Sequence, residues 1–175
     1  MSTVNQLILF VAVFVFGGTA VMDLRQRRIP NELVLAVIAL SLIHMASSRD
    51  VTTAVNDVKW AGLVLIGSLA FWARRWLGGG DVKLIFAASL LVGAQALPDF
   101  LVLTVLFGGV LGGLAFGDMW LEKYYGWSAG LAFPRVDLAV RSSATTVPRK
   151  AAVPYGIAIS LACVATLLTT SSAIW

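Results

Sequence analysis

The chain has 175 residues, 59% of them apolar and 13% charged, with a mean hydropathy of +0.88. Soluble domains run nearer half apolar and a quarter charged, so this composition excludes an ordinary soluble domain and points to an integral membrane protein of one domain, residues 1–175. The net charge of +4 does not call for a nucleic-acid partner, because in a membrane protein the placement of Lys and Arg matters more than their sum.

In chain order, the first apolar run covers about 4–22. The opening "MSTVNQLILF" has no basic start, and its arginines follow the apolar stretch. That order predicts a retained first span with its N-terminus outside, not a cleaved leader. The run ends at Asp23 in "AVMDLRQRRIPNEL". Ile29 before Pro30 disfavours helix and Asn31 suits a cap, so a short, defined turn leads into a second span over about 31–47. His44, at the far end of that span, reads as structural.

A third span is expected over about 58–74 and a fourth over about 82–98. The fourth is entered through "RRWLGGGDVKLI", with Asp81 directly after Gly78, Gly79 and Gly80. A fifth, over about 99–120, carries Gly109, Gly113 and Gly117 at the four-residue spacing that lets helices approach closely. The spacing favours packing within the chain, with a homodimer as the alternative. Asp118 reads as an end-of-span charge, with a third acid in the site as the alternative. An inner loop over about 121–152 contains "AFPRVDLAVRS", which suits an interfacial segment or a linker. The sixth span, about 153–174, opens on "VPYG", where Pro154 fits an early helical position. Cys163 lies inside it. As the single cysteine it allows no internal disulfide and no cysteine-based zinc site, and it reads as a small buried hydrophobe.

The expected fold class is therefore all-α: a polytopic membrane protein of about six transmembrane helices, with N-terminus and C-terminus outside. Span lengths of ~17–25 residues are usual for helices crossing the hydrocarbon. Basic residues support the orientation. On this layout eleven lie in inner loops and two, Arg49 and Lys59, in outer ones, the asymmetry of the positive-inside rule. The six tryptophans (Trp60, Trp72, Trp76, Trp120, Trp127 and Trp175) fall near expected span ends, as an interfacial belt would.

This layout has a chemical consequence. The first span runs inward and ends at Asp23; the fourth runs outward and begins at Asp81. Two acids 58 residues apart along the chain are thereby expected at one depth, on the cytoplasmic edge. Acids at membrane depth are rare and usually functional, with a partner to be named. Two carboxyls held close in a poorly solvated place cannot both ionise easily, and the pair would share a proton. The ionised member can then draw a proton from water while the protonated one polarises a peptide carbonyl and feeds the leaving nitrogen. Such chemistry needs no cofactor, and two aspartates with no nearby histidine make a poor transition-metal site. The glycines beside Asp81 leave room for a stretched substrate backbone. No Gly-Lys-Ser/Thr follows them, so they do not form a phosphate loop. Read by itself, "GGGD" is also an ordinary turn between helices. Two other classes fit parts of the pattern. An ion or proton translocator would use Asp81 as a relay, and a non-catalytic assembly subunit would tolerate loss of both acids.

The residues "DLRQRRIPN", "GGGDVKL" and "VPYGIAI" together resemble the bacterial type IV prepilin peptidases, membrane aspartyl proteases with a GxGD motif. The size and span plan are most similar to the short form serving tight-adherence (Flp-type) pili, the CpaA/TadV type. The resemblance implies that Asp23 and Asp81 are the catalytic pair. It also implies that the substrate is a pilin or pilin-like precursor, cut on the cytoplasmic side of the bacterial inner membrane just before its hydrophobic segment. Gly78, Gly79, Gly80, Lys83, Pro30, Asn31, Pro154 and Gly156 are then expected to support the loop or the substrate, with Pro154 lining the cleft by analogy with presenilin-like GxGD proteases. Many long-form members carry an extra N-terminal cytoplasmic region with paired cysteines and methylate the new terminus. The sequence has neither that region nor those cysteines, so methyltransferase activity is not expected. Leaders of that family are basic, as is the inner surface here. Asp118, Glu122, Glu32, the two motif acids or anionic membrane lipid would have to offset the repulsion.

Overall fold

The computed structural model describes residues 3–26, 29–48, 50–125 and 155–174. All regular structure among them is helical: α1 (Thr3–Gln26), α2 (Asn31–Ser48), α3 (Val51–Ala73), α4 (Gly79–Tyr125) and α5 (Tyr155–Ile174). Three stretches are long and apolar enough to cross a membrane: Gln6–Arg25, Val51–Ala73 and Gly79–Gly117. The apolar parts of α2 and α5, Asn31–Ser47 and Tyr155–Thr170, are shorter. Among the described residues there are thus five helices with three clear spans, which match the expected six crossings only in part.

The difference arises in α4, which covers both the fourth and fifth expected spans. The boundary predicted between residues 98 and 99 is absent. Pro98 lies inside the helix, and the regular geometry is broken earlier, at Gly93, with φ 78° and ψ 167°. A positive φ is strained for any residue with a Cβ, which is why glycine occupies it. The break leaves the next amide without its carbonyl four residues back. Ala94 N–H instead donates to Asp57 Oδ1 on α3 at 2.6 Å. An unmade bond in apolar surroundings would cost about 1–3 kcal/mol.

α4 is the centre of the packing, touching α2, α3 and α5, while α1 packs on α2 and α5. The buried side chains follow helical spacing. On α1 they are Ile8, Ala12, Phe16, Thr19 and Asp23; on α2, Val34, Val37, Ser41 and His44. α4 adds Leu84, Ala87, Ala88 and Leu91, and α5 adds Ile159, Ala162, Cys163 and Leu167. The opposite faces are also apolar. Leu7, Phe10 and Phe14 of α1 are each more than 60% exposed, which suits a lipid-facing surface. In that solvent, close packing and satisfied backbone polar groups hold helices together, since lipid is as apolar as the core.

Three further expectations are corrected. Gly109, Gly113 and Gly117 meet no atom within 4 Å at their Cβ positions, so their face is not packed within the described residues. The close approach is one residue away. A Cβ on Gly108 would lie 3.1 Å from Tyr155 Cε1 of α5. Trp60 is not at a span end, because α3 begins at Val51, before the predicted start at 58. Helix α4 extends to Tyr125, into the loop predicted over 121–152. The rest of that loop and Pro154 lie outside the described residues, as do the side chains of Asp118 and Glu122.

Candidate active site

One end of the bundle gathers the end of α1, the turn at residues 29–30, and the starts of α2, α4 and α5. Asp23 reaches it as the last member of the buried α1 stripe, and only 6% of its surface is exposed. The spacing that buries Ile8, Ala12 and Phe16 also points Asp23 inward.

Asp81 arrives through a tight reversal after α3. Arg74 N–H donates to Ala70 O, Arg75 N–H to Trp72 O at 2.8 Å and Trp76 N–H to Phe71 O at 3.0 Å. Arg75 takes the left-handed conformation, φ 59°, which turns the chain back toward α4. Helix α4 then starts with Val82 N–H on Gly78 O at 3.2 Å, and the Gly78 amide hydrogen-bonds back to the Asp81 carboxyl. An acid three positions into a helix, reaching back to the capping residue, satisfies an orphan donor and complements the helix dipole. Asp81 is half-buried. Its carboxyl is near enough to Asp23 for the two negative charges to act on one another.

Each carboxyl is flanked by a glycine that leaves it no spare room. A Cβ at Gly78 would lie 2.8 Å from Asp81 Oδ2. One at Gly156, in the first turn of α5, would lie 2.6 Å from Asp23 Oδ2, 2.9 Å from its Cγ and 3.2 Å from its Cβ. Gly79 and Gly80 face elsewhere, toward Trp72 Nε1 and the side chain of Ile29, both at 3.4 Å. Lys83, at the exposed edge, donates from Nζ to Asn31 Oδ1 at 3.1 Å. Asn31 is therefore engaged across the α2–α4 junction, where sequence alone suggested a cap for α2. Pro30 sits in the non-helical turn that precedes it.

Asp23, Asp81, Gly78 and Gly156 are thus brought together, with Gly79, Gly80, Lys83, Asn31 and Pro30 around them. His44, 1% exposed on α2, and Asp57, 2% exposed on α3, are buried acid–base groups that lie on neither half of this junction. Asp57 has no place in the sequence reading because it precedes the expected third span by one residue, where an acid looks like a loop charge. Among the described residues no group of three or more His, Cys, Asp or Glu side chains is placed to hold a metal.

The sequence profile of the type IV leader peptidase family matches residues 7–113, a stretch containing Asp23 and the Gly78–Asp81 turn. Among curated proteins, the chain is 31% identical over 103 residues to the prepilin leader peptidase/N-methyltransferase of Stutzerimonas stutzeri, covering 53% of this chain and 34% of that protein. It is 30% identical over 101 residues to the protein of the same description from Pectobacterium carotovorum subsp. carotovorum, covering 52% and 35%. The match thus spans about a third of the length of these relatives. No solved structure matches.

Proposed function

Since the chain belongs to the type IV leader peptidase family, we propose that it is a membrane-embedded aspartyl endopeptidase that removes the basic leader from Flp-type pilin precursors. The observation that carries this reading is that Asp23 and Asp81, from helix ends far apart in the chain, come near enough for their charges to act on one another. Each is closely backed by a glycine.

One carboxyl of the pair is ionised and the other protonated. The ionised one takes a proton from a water, whose oxygen forms a bond to the scissile carbonyl carbon. The protonated one hydrogen-bonds to the carbonyl oxygen as negative charge builds there. When the carbon–nitrogen bond breaks, a carboxyl proton passes to the leaving nitrogen, and the pair ends with one shared proton, as it began. Limited exposure of both acids keeps bulk water from screening these charges. The relatives are described as N-methyltransferases as well; the proposal concerns leader cleavage alone.

The accompanying topology is six crossings of the bacterial inner membrane. Gly93 is the turn between the fourth and fifth, α2 and α5 are short crossings, and the acid pair lies at the cytoplasmic face. The distribution of Lys and Arg supports this orientation. The test is co-expression with a candidate pilin precursor, following precursor size by gel. Wild type shortens the precursor; Asp23→Asn and Asp81→Asn accumulate in the membrane and leave it full length. Processing by either variant would end the proposal.

A further inference from the structure

The two acids sit on helices that do not brace one another. Asp23 is on α1 and Asp81 on α4; among the described residues both helices pack on α2 and α5, but they share no extensive contact with each other. The distance between the carboxyls is therefore set through α2 and α5. On the α2 side the tie is the exposed Lys83–Asn31 hydrogen bond. On the α5 side it is a close contact at two faces of a single helical turn.

Tyr155 opens α5. Its ring edge faces Gly108 of α4: a Cβ there would lie 3.1 Å from Cε1, 3.5 Å from Cδ1 and 3.9 Å from the Cβ of Ala158. Residues three apart share a helix face, so the face of α5 bearing Tyr155 and Ala158 lies on α4. Gly156 is one residue on, turned by about 100°, and meets the Asp23 carboxyl of α1. The first turn of α5 is thus a spacer, with the Tyr155 ring against one helix and the Gly156 backbone against an acid of the other. Gly108 and Asp81 belong to the same α4, on opposite sides of the Gly93 break, so α4 carries both the second acid and the surface on which the spacer rests.

We propose that Tyr155 is a positioning residue: its ring, seated on Gly108, holds the first turn of α5 at the spacing that keeps Asp23 opposite Asp81. The inference rests on the peptidase reading above and adds a residue that acts through Gly156 and not on the peptide itself.

The test uses the purified full chain in phospholipid vesicles and a fluorescent peptide with a basic leader, the cut site and an apolar run. Gly108→Ala puts a methyl carbon 3.1 Å from the ring. Comfortable separation is about 3.5–4.0 Å, so ring and spacer must shift by roughly half an ångström. A shift of about 1 Å at a reacting group costs roughly 100-fold, so kcat is expected to fall about tenfold while KM stays within about twofold. Alanine favours helix over glycine, so this variant should accumulate. Tyr155→Ala removes the spacer and lowers kcat by a similar factor. Tyr155→Phe keeps both contacting carbons and should stay within about twofold of wild type. In Gly108→Ala/Tyr155→Ala the methyl meets only Ala158, at 3.9 Å, so the double variant is no slower than Tyr155→Ala. If wild type cleaves the peptide and both alanine variants keep its kcat, or if their losses multiply in the double variant, the positioning role falls and the peptidase reading stands. A loss in Tyr155→Phe equal to that in Tyr155→Ala makes the hydroxyl the working group and also overturns the role. If wild type does not cleave the peptide, the peptidase reading falls and this inference with it.

Discussion

Replacing Gly156 by alanine tests the arrangement without touching an acid. The new methyl carbon would sit 2.6 Å from Asp23 Oδ2 and 2.9 Å from its Cγ. Comfortable separation for non-bonded heavy atoms is about 3.5–4.0 Å, so the overlap is on the order of 1 Å. Asp23 cannot swing freely to relieve it, because it is buried at the end of a packed stripe. Either the carboxyl or the start of α5 must retreat by most of that distance. A displacement of about 1 Å at a reacting group costs roughly 100-fold in rate, and overpacking of this kind costs about 1–3 kcal/mol in stability. Gly156→Ala is therefore expected to insert and accumulate while its kcat/KM on a pilin precursor falls about 100-fold. Gly79→Ala is the matched control: its methyl meets only the Trp72 ring, Nε1 at 3.4 Å and Cδ1 at 3.9 Å, and activity should stay within a few fold. Time courses of precursor shortening, normalised to the amount of protein in the membrane, decide the matter. Wild-type kinetics in Gly156→Ala would refute the claim that Asp23 must stay where α5 holds it.

The acid pair should behave as a unit, so the double variant Asp23→Asn/Asp81→Asn is expected to lose no more activity than either single one, measured by residual precursor cleavage. Asp57→Ala leaves the Ala94 amide unsatisfied and should lower stability by about 1–3 kcal/mol, read as an earlier unfolding midpoint in mixed detergent. Asp57→Asn keeps an acceptor and should lose less. Gly93→Ala forces a Cβ into a positive-φ, extended-ψ conformation that is essentially reserved for glycine and should cost about 1–3 kcal/mol by the same assay.

Some of this design is legible along the chain and some is not. The meeting of Asp23 and Asp81 follows from where each acid falls relative to an apolar run, and that needs only a count of crossings between them. The place of the α4 break does not follow. In "LLVGAQALPDF" the proline is the louder breaker, yet Gly93 bends the chain because Asp57 of another helix supplies the missing acceptor. That acceptor becomes visible only once α3 and α4 are side by side. The Gly109–Gly113–Gly117 spacing defines a helix face correctly but carries no information on which face a neighbour covers, and Tyr155 packs at Gly108 instead. Gly156 reads as an ordinary helix start, and its contact with an acid more than 130 residues upstream leaves no local trace.

The family match stops at residue 113, whereas the wall behind Asp23 stands at residue 156. A fragment trimmed to the matched stretch would keep both acids and the glycine turn, yet should be silent, because nothing would brace the first carboxyl. Supplying α5 as a separate peptide should then revive it, making the last helix a detachable half of a split enzyme.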